Sequence, residues 1–183
     1  MPSSPLSARR LSVAVLLCGS LLAGTTACGG DDKDTTANPS TSSTAERQKL
    51  AKTRFVANAG IAAGATYQWI VKPWKAGKFK KGADGRKFAL VKAGLAGGLT
   101  YNRLKAAKKN AEGDPTLAKA IAPLTSGIDA LKDLPGKLRK GDGTDSVASS
   151  FDDIINKVKN AGSDAGAPVK DKVPSASELT KGS

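Results

Sequence analysis

The stretch AGIAAGATY at residues 59–67 returns 34 residues later as AGLAGGLTY at 93–101, with six of nine positions identical and Ile61 answered by Leu95. Val56, Ala59/Gly60, Ala63, Tyr67, Ile70 and Trp74 recur at intervals of three and four around the first copy. Leu90, Ala93/Gly94, Gly97, Tyr101 and Leu104 do the same around the second. That is the period of a helix. Glycine inside a helix costs about 1 kcal/mol against alanine, so its retention asks for a reason, and close backbone approach is the obvious one. Gly60-xxx-Gly64 and Gly94-xxx-Gly98 therefore predict two helices packed tightly on each other, by the small-xxx-small logic known from membranes. The alternative is a loosely packed pair of Ala/Gly-rich helices. The shared Thr-Tyr ending argues for duplication or parallel constraint over compositional drift, and two copies fall short of the three that a helical solenoid needs.

Downstream the helical spacing continues. Asp114-Pro115 offers an N-cap followed by proline at the first helical position, and Leu117, Ile121, Leu124, Ile128, Leu131 and Leu138 stay in phase. Pro123 interrupts that pattern, which predicts a kink or two short helices, with Ser126-Gly127-Ile128-Asp129 as a capping box restarting it. A last helix is expected from about Asp145 to Ala161, its apolar face formed by Val147, Phe151, Ile154, Ile155 and Val158, and Gly162 as its stop. Pro168, Pro174 and scattered charges from residue 162 to 183 read as a loose tail. No strand pattern competes. The expected fold is all-α, a small antiparallel helical bundle over residues 45–161 that contains the glycine-rich hairpin, with a core light in large side chains.

Upstream, Arg9-Arg10 precede an apolar run from Leu11 to Leu22 and a small-residue zone ending at Cys28, the anatomy of an export signal over residues 1–27. The run is too short to span a bilayer, which takes about 20 apolar residues. TTAC at 25–28, followed by Gly29-Gly30, resembles the lipobox of bacterial lipoproteins, with Thr25 where that family prefers leucine. The resemblance implies cleavage before Cys28 and acylation of that cysteine. The alternative is an ordinary secretory signal that leaves a free thiol. GGDDKDTTANPSTSST, residues 29–44, reads as a flexible, disordered tether spanning roughly 20–24 Å as a coil. In signal, Ala/Gly bias and tether the chain resembles small uncharacterised lipoproteins of high-GC Gram-positive bacteria, which implies an extracytoplasmic, membrane-anchored location.

The chain carries 29 Lys and Arg against 16 Asp and Glu and no histidine. Loss of Arg9 and Arg10 with the leader leaves 27 cations against 16 acids, net +11. Such an excess favours anionic partners and says nothing of fold. Without histidine the commonest general base and metal ligand is missing. Asp129 and Asp133 share a helical face but sit beside Lys132, and KGDGTD at 140–145 lacks the remaining ligands of an EF-hand. No catalytic, metal or cofactor constellation is expected, and enzyme activity ranks a distant third among the readings.

The cations concentrate between the two repeated helices, in PWKAGKFKKGADGRKF at 73–88, where Gly77, Gly82 and Gly85 favour a turn and Pro73 disfavours helix at Lys72. Lys72, Trp74, Lys75, Lys78, Lys80, Lys81, Arg86 and Lys87 form the candidate anion-binding set, interleaved with Trp69, Phe79 and Phe88. The alternative is that the aromatics close the end of the core and the lysines are merely solvated. These features support two functional expectations. One is a lipid-anchored binding or structural module whose tip holds an anionic wall polymer or lipid headgroups, with a protein partner as the remaining option. The other is a membrane-active hairpin, since Phe55 to Val71 is free of charge and looks somewhat like the glycine-zipper hairpins of some envelope lipoproteins.

Overall fold

The computed structural model describes residues 43–182. The leader, Cys28 and most of the tether lie outside the described residues. Among those described, every regular element is helical and no strand occurs.

Helix α1, Thr44–Thr66, starts at a capping box in which Ser43 accepts from the Glu46 amide and Glu46 accepts from the Ser43 amide. It leads through a wide π turn, Tyr67–Val71, into the short helix α2, Lys72–Lys75. The Lys72 amide donates to the Tyr67 carbonyl, five residues back. Pro73 accounts for this turn, because in a regular α-helix its ring would strike the carbonyl of Trp69 and it has no N–H to donate. The helix end expected at Lys72 is thereby deferred by one turn.

Helix α3, Arg86–Ala111, returns antiparallel to α1 and makes the most extensive pairing in the molecule. The repeat is visible in three dimensions: Thr66 and Thr100, equivalent positions of the two copies, bring their hydroxyls to 3.0 Å in the buried seam. Nearer the open end Arg103 donates to Asn58.

Three of the four glycines, Gly60, Gly64 and Gly94, admit segments other than the expected α1–α3 partner. A methyl group on Gly60 would lie 2.6 Å from the Lys170 carbonyl oxygen, and one on Gly64 would strike the backbone of Lys172 and Val173. Gly94 faces the Arg139 side chain and the Pro135 carbonyl, and Gly98 is half-buried. The glycines of α1 thus admit the C-terminal segment, and Gly94 admits α6, Leu134–Lys140. From residue 59 to 66 every position of α1 is buried except the half-buried Ile61, so the helix is enclosed on several sides, as expected of one that is apolar all round.

Between α3 and α6, Asp114 caps α4, Pro115–Ile121, by accepting from the Leu117 amide at 2.8 Å. Its buried carboxylate also faces Lys52 at 3.7 Å. Pro123 sits in a 3₁₀ turn, Ala122–Leu124, that joins α4 to α5, Thr125–Ala130, so two short helices replace one. The expected capping box at Ser126 does not form, because α5 begins at Thr125 with Leu124 at the N-cap, two residues earlier and without a side-chain cap.

Helix α7, Thr144–Asp164, buries Val147, Phe151, Ile155 and Val158 as its spacing foretold. Gly162 is not its stop. It lies buried inside the last turn against Phe55, Val169 and the Ala167 carbonyl, and the chain turns at Gly166, where φ is +68°. The C-terminal segment is not the loose tail expected of it: Ala165, Ala167, Val169, Pro174 and Leu179 are buried. The Lys172 amide donates to the Gly60 carbonyl at 2.8 Å, and Lys159 pairs with Asp171 at 2.7 Å. Helix α8, Ala176–Lys181, ends this strap with its own capping box at Ser175 and Glu178. The strap holds because small residues beneath it let its backbone reach α1, a feature that the sequence pattern of the strap itself does not carry.

Candidate functional site

The loop from Ala76 to Gly85 closes the hairpin, and Gly77, Gly82 and Gly85 all adopt the left-handed backbone that glycine alone takes without strain. Two interactions hold it. Arg86, half-buried, donates from Nε to the Phe79 carbonyl at 2.8 Å, while Phe79 itself is buried in the core. Trp74 donates from its indole to Asp145 at 2.6 Å, tying α2 to the first turn of α7. The aromatic residues therefore do in part what the structural alternative assigned to them, closing the end of the core.

The lysines are left outside. Lys72, Lys75, Lys78, Lys80, Lys81 and Lys87 are exposed, and none forms an ion pair among the described residues. Of the eight residues expected to bind anions, six carry free ammonium groups, Trp74 spends its indole N–H on Asp145, and Arg86 commits Nε to bracing while its other guanidinium nitrogens form no hydrogen bond among the described residues. Four of the six divide between two faces. Lys80 and Lys81 border a hollow with Trp74, Arg86 and Asp145, whereas Lys72 and Lys78 border a groove of about 410 Å³ between the π turn and the start of α3.

That groove holds residues outside the expected set. Trp69 and Phe88 form apolar walls, and the Lys92 ammonium lies 4.5 Å from the Phe88 ring centre and 5.1 Å from that of Trp69. Phe88 is 67% exposed. The Trp69 indole nitrogen is buried with no hydrogen-bond partner. The spacing of Phe88 and Lys92, four residues apart on one helical face, is a signal that the sequence does carry. Asp145, 71 residues from Trp74, has no such signal.

The apolar stretch from Phe55 to Val71 bears on membrane insertion. Phe55, Ala59, Ala62, Ile70 and Val71 are buried in the protein's own core. Among the described residues no helix is long and apolar enough to cross a membrane. Nor, among those residues, do three or more acids or cysteines gather where a metal ion would fit. Comparison of the chain with family models, with curated proteins and with solved structures finds no match.

Proposed function

We propose that this is a lipid-anchored extracytoplasmic binding protein whose basic hairpin tip holds an anionic component of the cell envelope, a wall polymer or a headgroup surface. The observation that carries the reading is the set of six exposed, unpaired lysines at one hairpin tip, three of them on the braced loop and three on the helix ends that flank it. Cations that form no ion pair keep their charge available to an outside partner, and a loop fixed by Trp74 and Arg86 loses less entropy on binding than a mobile one. The leader and Cys28, through their resemblance to lipoprotein signals, support the location.

Membrane insertion of the hairpin would require the apolar side chains of α1 to leave the core they now fill, so the binding reading is preferred. The test is co-sedimentation of the chain from Ser43 onward with purified cell wall and with anionic liposomes across a salt series. Exposed charges are screened beyond a Debye length of about 8 Å at physiological ionic strength, so binding should weaken steeply as salt rises. Binding that is indifferent to salt would refute the proposal, and binding to neither material would turn attention to a protein partner.

A further inference from the structure

We propose that the groove between the π turn and α3 is a binding site for a small amphipathic anion, a single hydrocarbon chain carrying one carboxylate. At about 410 Å³ the groove falls within the range of small-molecule sites, about 300–1,000 Å³. Its walls are the Trp69 and Phe88 rings with Pro73, Ala76 and Ala89. These surfaces offer no side-chain hydrogen bond, so they suit a body that needs none. An exposed Phe88 at the start of a helix leaves water against an aromatic ring, and a hydrocarbon chain laid on it would release that water.

The rim sets the charge of the head. Lys72, Lys78 and Lys92 border the groove against the single acid Asp84, a local excess of two positive charges. Lys92 is the best placed, because its stacking on both rings fixes the ammonium at the point where an apolar wall meets solvent. A carboxylate paired there keeps its chain on the Phe88 face. The π turn contributes too. Such turns recur at functional sites, and this one places the Trp69 ring as a wall of the groove. This site shares the rim lysines Lys72 and Lys78 with the tip, but its apolar walls and Lys92 belong to it alone.

The test is calorimetric titration of the chain from Ser43 onward with dodecanoate held below its micelle concentration. Saturable binding at one site is expected, with no saturable binding of dodecyltrimethylammonium, which has the same chain and the opposite head. Phe88→Ala and Lys92→Gln change exposed or half-exposed side chains, and circular dichroism checks that each variant is folded. Each should weaken dodecanoate binding by about tenfold or more, the scale of a lost charge-assisted contact for Lys92 and of lost apolar burial for Phe88. Both should leave salt-dependent sedimentation with cell wall in place, whereas Lys80→Gln with Lys81→Gln should leave dodecanoate binding unchanged. The two sites therefore fail separately. Absence of saturable binding, equal binding of the cationic amphiphile, or indifference of both groove variants would overturn the proposal.

Discussion

Substituting Gly64 by alanine separates the role the structure gives this glycine from the one its spacing suggests. A methyl group there would strike the backbone of Lys172 and lie 2.6 Å from the Val173 amide nitrogen, so the C-terminal strap would have to move rather than a flexible side chain. Displacing the strap forfeits the Lys172–Gly60 hydrogen bond, worth about 0.5–1.5 kcal/mol net. It also exposes buried apolar side chains, of which Leu179 alone accounts for about 1.5–3 kcal/mol. Against this stands a gain of about 1 kcal/mol from replacing a helical glycine by alanine. The net expectation is a loss of about 2 kcal/mol, read by urea denaturation, together with faster tryptic cleavage at Lys170 and Lys172. Gly136→Ala is the control: it is helical, has nothing within 4 Å of the added methyl, and should gain up to about 1 kcal/mol. A Gly64→Ala protein as stable as the parent, with the strap still protected, would show that Gly64 does not serve the strap.

The Thr66–Thr100 contact should show the signature of a buried polar pair. Replacing Thr100 by valine strands the Thr66 hydroxyl and should cost about 1–3 kcal/mol, whereas replacing Thr66 leaves the Thr100 hydroxyl donating to the Ala62 carbonyl at 3.4 Å and should cost less; the double variant should cost less than the sum by about 1 kcal/mol in a denaturation cycle, and strict additivity would mean that the hydroxyls do not interact. Acid should loosen the strap from its end. The Ser175 amide, then the Ser175 hydroxyl, hold the Glu178 carboxyl below its ordinary value. Since the folded state binds that proton less readily, the associated stability is present above the ordinary glutamate range and is lost as pH falls through the lowered value. Amide exchange at Leu179 should accelerate over that interval, and a Glu178→Gln protein should not show the change.

The all-helical class and the hairpin were legible because periodicity survives even in Ala/Gly-rich sequence, and Asp114, Pro115 and Pro123 mark local events that need no distant partner. Gly77, Gly82 and Gly85 announced the loop for the same reason. Apart from the local misreadings at Ser126 and Lys72, the failures are long-range. The GxxxG spacing of α1 says that a backbone comes close without saying whose, and here it is the distant backbone of Lys170 to Val173. The strap read as loose because its apolar residues are few and aperiodic, yet Val169, Pro174 and Leu179 need only a surface of small residues to lie on. Gly162 looked like a helix stop, whereas crowding by Phe55 and the Ala167 carbonyl requires its missing side chain. At the tip, composition identified the lysines, but only the fold distinguishes free cations from the bracing Trp74 and Arg86, and only the fold brings Lys92 between two rings.

Whether the tip, rather than the general excess of positive charge, binds the anionic partner is decided by comparing two proteins of equal net charge in wall and liposome sedimentation at low salt. One carries glutamine at Lys78, Lys80 and Lys81; the other carries it at Lys49, Lys109 and Lys119, exposed positions away from the hairpin loop that form no ion pair among the described residues. Loss of binding in the first with retention in the second is the expected result, and equal loss in both would overturn the assignment of binding to the tip.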